Sequence, residues 1–399
     1  MRTPIHCLLV HLAVKPSRQT RFAGLVVLLV LVMGAFAAAD ESTGTWTGNL
    51  RIQGNYYWET STRVVAPEVR ATLVSPDGVV VSAGYLIDAI TSASLAAGVI
   101  EDIRFTETRN QGSLSVGREF DLGEAQLRLS ASGLVSHEPD YLATSLSLNG
   151  TLSLNQRSTL VSVGLGYIHD NVGSVLRGAN SGATDPDGRM LSNRGRVGQL
   201  EGMNLSAGVT QILAPNLWVS AEYNFLLNNG LLSNPYRAVM VQGVLTPEAH
   251  PGQRTRHTIS GRLAYFIEPT RTAIHLMYRS YLDDWELAAI NPEVRIYQEI
   301  GDAVTLRARY RYYEQSRSFF YRSAEVFTAD DPFVTADPKM GAFHSHLLGF
   351  RGLVMLRFLA NTPLDFLSHG TFDVSFDYLW QTSRFGNAIM AQSGLTVPF

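Results

Sequence analysis

The sequence predicts an all-β chain, a transmembrane antiparallel β-barrel of about sixteen strands, and three observations carry that expectation. Apolar and polar residues alternate over unusually long segments, short groups of turn formers interrupt those segments, and the chain closes on Gln392-Ser393-Gly394-Leu395-Thr396-Val397-Pro398-Phe399. The alternation is clearest at residues 142 to 154, where Leu142, Thr144, Leu146, Leu148, Gly150, Leu152 and Leu154 share one face. Ala143, Ser145, Ser147, Asn149, Thr151 and Ser153 share the other. A globular strand runs about five or six residues, whereas one crossing hydrocarbon at a tilt needs about nine to eleven.

At the start of the chain, Arg18 and Arg21 precede an apolar run from Phe22 to Ala39, with Ala35, Ala37, Ala38 and Ala39 immediately before Asp40 and Glu41. That layout predicts a secretory signal over residues 1–39, followed by a barrel over residues 40–399. The only cysteine, Cys7, falls in the segment expected to be removed, which excludes thiol chemistry and disulfides from the mature chain. Losing Arg2, Lys15, Arg18 and Arg21 takes the formal charge from -3 to -7, so nothing argues for nucleic acid as a partner. Charged residues make up 17% of the chain, below the roughly 25% of soluble domains, as strands with one lipid-facing side require.

Turn formers then set the topology. Short breaks fall at Pro76-Asp77-Gly78, Asp121-Leu122-Gly123-Glu124, Asn155-Gln156, Ala214-Pro215-Asn216, Glu268-Pro269-Thr270 and Gly301-Asp302. Longer connections cover residues 170–198, 230–253 and 316–342. Short periplasmic turns and longer extracellular loops are the asymmetry of outer-membrane barrels. An opening strand near residues 46–58 and a closing one near 388–399 complete an even count with both termini at one end. The segment 371–381 sets Phe372, Val374, Phe376, Tyr378 and Trp380 against Asp373, Ser375 and Asp377, a face for hydrocarbon opposite a face for water.

The closing residues have the spacing of a C-terminal assembly signal, with Gln392, Gly394, Val397 and Phe399 as its elements. Val397 and Phe399 share the lipid face, and Gly394 admits close backbone packing. Such a signal implies the barrel-assembly machinery and outer-membrane lipid as partners, in a Gram-negative bacterium.

A family resemblance joins these readings. Tyr57-Trp58-Glu59 with Arg63-Val64-Val65-Ala66-Pro67, Ile87-Asp88-Ala89-Ile90-Thr91-Ser92-Ala93-Ser94, Asn291-Pro292-Glu293-Val294-Arg295-Ile296-Tyr297 and Tyr310-Arg311-Tyr312-Tyr313-Glu314-Gln315 resemble the bacterial outer-membrane proteins filed as domain of unknown function 3570. The resemblance implies a barrel and an outer-membrane location; it assigns no catalytic residue.

Continuing the alternation places Arg307, Arg309 and Arg311 on successive inward positions of one strand. Glu293, Arg295 and Glu299 precede them, Asp373 and Asp377 follow, and Arg256, Arg262 and Arg279 lie on the preceding hairpin. These groups either form an anion-selecting constriction or pair across strands and fill the lumen. Asp88 beside Thr91, Ser92 and Ser94 is expected to cap loop backbone. His344 and His346 share a face but lack a third ligand, so no metal or other cofactor is expected. The pairs His137-Glu138 and His169-Asp170 are compatible with a hydrolytic site, although no flanking serine is singled out. The residues 185–188, Asp-Pro-Asp-Gly, read as a turn rather than a calcium loop.

The loop 316–342 carries Phe319, Phe320, Tyr321, Phe327 and Phe333 and repeats Thr328-Ala329-Asp330 as Thr335-Ala336-Asp337. It is expected to fold into the lumen or pack on a partner. Function therefore reads first as a channel or porin-like protein for small solutes, then as a filled scaffold for a periplasmic or lipoprotein partner, and last as an outer-membrane hydrolase. The leading reading is not enzymatic.

Overall fold

The computed structural model describes residues 45–60, 62–93, 104–138, 141–172, 198–233, 237–323 and 327–399, so the predicted signal segment and residues 185–188 lie outside the described residues. The strands, in chain order, are β1 (Thr47–Glu59), β2 (Thr62–Val74), β3 (Val79–Ala93), β4 (Arg104–Asp121), β5 (Gln126–Glu138), β6 (Tyr141–Leu154), β7 (Thr159–Val172), β8 (Gly198–Ala214), β9 (Leu217–Gly230), β10 (Ala238–Val241), β11 (Val244–Pro247), β12 (Gln253–Ile267), β13 (Thr272–Asp283), β14 (Ala288–Ile300), β15 (Val304–Gln315), β16 (Phe343–Met355), β17 (Thr371–Gln381) and β18 (Ala388–Pro398). All but β10 and β11 join one closed antiparallel barrel, sixteen strands among the described residues. β1 meets β18 with Asn49 opposite Pro398 and Glu59 opposite Ala388, so no barrel edge is left unpaired.

The wall is inside out relative to a soluble domain. On β17, Phe372, Phe376 and Trp380 are 41%, 48% and 44% exposed, whereas Asp373 and Asp377 are each 4% exposed on the inner face. The same parity turns Leu146, Leu148, Leu165, Leu276, Ile296 and Phe350 outward, an apolar exterior that suits hydrocarbon.

Two prolines interrupt the ladders. Pairing of β2 with β3 lapses between Val65 and Glu68, around Pro67. Pairing of β14 with β15 lapses between Ile290 and Glu293, around Pro292. Proline has no N–H to give, so these positions sit outside the regular ladder.

The six short breaks read from sequence all fall at the end of the barrel where β1 begins and β18 ends, and Gly78 and Gly301 supply positive φ there (77° and 58°). One connection departs from that rule. Residues 356–370 join β16 to β17 at the same end through two 3-10 turns, exposing Phe358 and Phe366 at 68% and 69%. At the far end, residues 60–61 and 382–387 are short links, so the length asymmetry of the two ends is partial.

A conventional hydrophobic cluster forms outside the wall, in the far-end loops. β10 and β11 form a hairpin within the 231–252 connection, and Val239 packs with Phe327 and Val334 of the 316–342 loop. Bridges Val241 to Phe327 and Ala249 to Val334 tie the two loops by backbone. The aromatic loop therefore packs on another loop of the same chain. Trp285, in the β13–β14 turn, packs edge-on against His250 and Phe320 at 5.4 and 5.1 Å between ring centres.

Candidate functional site

Parity and burial place Arg307, Arg309 and Arg311 on the inner face of β15, as the alternation required, and the neighbouring strands decide what each meets. Arg309 donates from Nε to Asp377 Oδ1 at 2.8 Å, with a second contact at 2.7 Å. These residues are two strands apart, and the intervening residue of β16 is Gly349, where a Cβ would fall 1.7 Å from Asp377 Oδ1. Asp373 lies between two arginines: Arg351 of β16 at 3.2 Å, and Arg51 of β1 at 3.1 Å across β18. There the intervening residue is Gly394, where a Cβ would meet Arg51 Nη2 at 2.6 Å and Asp373 Oδ1 at 2.9 Å. Each glycine thus opens a passage for an ion pair over its own strand. Gly394, read as an element of the assembly signal, has this second role, and sequence gave no hint of its partner Arg51.

Glu293 binds Arg295 on its own strand. Glu299 sits at the terminal-end rim, half-exposed, and binds Arg271 of the adjoining turn at 2.9 Å, so it does not line the mid-lumen as expected. Arg271, in that turn, is held protonated more firmly than usual, first by its hydrogen bond to Asp302 and then by that to Glu299. Asp88 binds Arg109 of β4 across the strand pair rather than capping loop backbone, because Arg109 stands directly opposite it in register.

With these carboxylates committed, positive charge is left over. Arg256, Arg262, Arg279, Arg307 and Arg311 face the lumen and make no ion pair among the described residues. Arg262 lies over the Trp218 ring at 5.8 Å, and Arg279 donates to Ser260 Oγ at 3.3 Å. The Nε atoms of Arg256 and Arg307 have no hydrogen-bond partner in the protein. In the ring order β15 lies eight places from β5, whose inner face carries Ser130, Ser132 and Ser136 between Arg128 and Glu138 near its ends, and Ser132 Oγ lies 3.2 Å from Ser147 Oγ of β6. One arc of the lumen is cationic, and the arc it faces is largely small and hydroxylated between its charged ends.

The other sequence candidates resolve by parity. His344 and His346 point outward, stacked among Tyr310 and Tyr312, and Tyr310 Oη lies 2.8 Å from His346 Nδ1. His137 and His169 also point outward, whereas Asp170 points inward and accepts a 2.7 Å hydrogen bond from Tyr141. Within each of these two pairs imidazole and carboxylate are thereby divided by the barrel wall, although His169 Nδ1 lies 3.8 Å from Glu201 Oε1 of β8 on the outer face. Among the described residues no group of three metal-binding side chains occurs.

In the closing strand Gln392 is hydrogen-bonded to Asn55 at 3.0 Å, Val397 stands opposite Leu50, and Phe399 exchanges backbone hydrogen bonds with Gly48 at 2.9 and 3.0 Å. The terminal ring lies over Gly48: a Cβ there would meet the Phe399 ring at 2.7 Å.

The family described as "Protein of unknown function (DUF3570)" matches residues 100–358, well over half of the chain. The chain belongs to this family. No curated protein matches it. Among solved structures it is similar to the outer membrane protein OprD from Pseudomonas aeruginosa, at 9% identity over 90% of this chain and 96% of that one, TM-score 0.45. It is also similar to a bacterial polysaccharide outer membrane secretin, at 10% identity over 88% and 98%, TM-score 0.45. A third is the outer membrane protein OmpT of Vibrio cholerae with loop L8 deleted, at 11% identity over 89% and 98%, TM-score 0.39. The sixteen-strand closure rests on the chain's own pairings.

Proposed function

We propose that this family member is an outer-membrane channel of Gram-negative bacteria that prefers small anions. The observation that carries the reading is the pair Arg307 and Arg311, inward on β15 without ion pairs among the described residues, across the lumen from a wall rich in serine hydroxyls. A sixteen-strand barrel is wide enough for an aqueous path, and fixed guanidiniums on its wall favour anions over cations in transit. The apolar exterior supplies the lipid interface, the far-end loops are then extracellular, and Phe399 is the element presented to the assembly machinery. A transport role is favoured over hydrolysis because the imidazoles and carboxylates singled out from sequence lie on opposite faces of the wall.

Planar-bilayer recording tests this. Under a potassium chloride gradient the purified protein is expected to show a reversal potential on the anion side, and Arg307→Ser with Arg311→Ser to move it toward zero with folding unchanged. An ideal cation preference, or no change in the double variant, overturns it. A second reading, a filled scaffold for a periplasmic or lipoprotein partner, draws support from Phe358 and Phe366 on the 356–370 connection. Folded protein without conductance favours that reading.

A further inference from the structure

Lys339 and Met340 of the 316–342 loop come down against the inner wall, where Gln315 Nε2 donates to the carbonyls of Lys339 and Gly341 at 2.9 and 2.7 Å. Between this loop and strands β12–β15 lies a cavity of about 370 Å³. Its volume is room for roughly a dozen waters, and it falls in the range of small-ligand sites. Arg254, Arg279 and Lys339 line it, with Thr258, Asn291 and Tyr313. None of its lining residues is acidic.

Two carboxylates beside the cavity are already engaged: Glu293, two positions from Asn291 on the inner face, binds Arg295, and Asp283 is sealed away. The Asp283 side chain is fully buried (0% exposed) and accepts hydrogen bonds from Arg254 Nε at 2.8 Å, Tyr281 Oη at 2.6 Å, and the backbone N–H groups of Trp285 and Leu287 at 3.0 and 2.9 Å. Asp283 therefore neutralises and fixes Arg254, which stacks over Trp285 at 4.1 Å. Arg279 on the wall and Lys339 on the loop have no carboxylate partner among the described residues. The loop itself is held by the Arg237–Asp337 ion pair at 3.1 Å and by Thr335 Oγ1 donating to buried Glu248 at 2.9 Å. Two cations on separately anchored elements line the same cavity as the Thr258 hydroxyl and the Asn291 amide, with Lys339 Nζ 5.9 Å from the Phe385 ring centre, a set of groups suited to one carboxylate beside hydroxyl groups.

We propose that this cavity is a binding site for a small hydroxylated organic acid, of the sugar-acid class, taken up at the outer mouth before transit. The proposal deepens the anion-channel reading and rests on it for the direction of transit, but binding itself is measured without current. Titration calorimetry of the purified barrel in detergent uses D-glucuronate as probe, with D-glucose as the uncharged counterpart and acetate as charge without hydroxyls. Saturable binding of glucuronate, at least tenfold tighter than either control, is expected. Arg279→Gln and Lys339→Gln, neither of which breaks an ion pair, are each expected to weaken it at least tenfold with the barrel still folded.

Glucuronate binding no tighter than glucose overturns the site, as do two folded variants that bind like the wild type. Saturable, variant-sensitive binding with no anion preference in bilayers keeps the site and defeats the channel reading. Anion preference without glucuronate binding defeats the site alone.

Discussion

Gly349 and Gly394 carry the most information per atom in this barrel, because each is defined by an ion pair between residues of the strands on either side. Gly349→Ala would put a methyl group on Asp377 and part it from Arg309, leaving both charges on the inner wall without their partner. Breaking a buried pair costs about 3–5 kcal/mol, so the urea midpoint of the purified barrel should fall sharply. Gly352→Ala, whose Cβ would meet only Leu306 Cδ2 at 3.8 Å, is the control and should shift it by less than about 1 kcal/mol. Asp331, in the far-end loop, makes a second residue-scale case. Its carboxyl is held below the ordinary carboxylate range first by Arg322, which donates at 2.9 and 2.7 Å, and then by the Thr328 backbone N–H at 2.8 Å. A lowered folded value stabilises the loop above the ordinary carboxylate pKa near about 4, and that contribution is lost as pH falls through the folded value. Amide protection in residues 327–334, taken relative to the intrinsic exchange rate at each pH, should therefore fall in acid, and Asp331→Asn should remove that pH dependence.

Among the elements, the three far-end connections 231–252, 284–287 and 316–342 behave as one folded cap. Trp285 joins them, since its ring contacts His250 and Phe320 and its Nε1 donates to the Gln253 carbonyl at 2.9 Å. Trp285→Ala removes a buried aromatic worth about 3–5 kcal/mol. That loss falls on the cap, so limited proteolysis should cut within residues 316–342 while the barrel resists and keeps its strand signal by circular dichroism. Cleavage no faster than in the wild type would mean that the loops hold without this ring. The composition of residues 316–342 made a folded loop legible, because five aromatic residues seldom stay in water. Its partner was not legible: Val239 and Ala249 are ordinary apolar residues some eighty positions earlier, and nothing local ties them to Phe327 and Val334.

For the whole molecule, the outward belt and the closing seam set the conditions for membrane insertion. Phe376→Arg places a guanidinium in the apolar exterior and should cost about 2–4 kcal/mol of barrel stability if the position lies near mid-bilayer. Equilibrium unfolding from lipid vesicles measures it, and a neutral result would place Phe376 near an interface. Deleting Phe399 removes the ring that covers Gly48 together with two backbone hydrogen bonds. Assembly should fail in cells, with unfolded chain accumulating before insertion, whereas the same variant refolded in detergent should lose little stability. Normal insertion of the deletion would reduce the C-terminal residues to an ordinary closing strand.

By itself the sequence determined a count of about sixteen strands, six of the turns at the terminal end, and which face of the clearly alternating strands meets water, because a period of two leaves only one register that keeps Asp373 and Asp377 out of hydrocarbon. It also brought Arg307, Arg309 and Arg311 to one face. Only the tertiary structure decided that Arg309 is neutralised by Asp377 while Arg307 and Arg311 are not, that Glu299 belongs to the rim, and that Asp88 answers to Arg109. Those outcomes depend on pairings between strands and on contacts that pass over a glycine to the strand beyond. Alternation along one strand fixes the side of the wall on which a charge stands, and the neighbouring strands fix what it meets there.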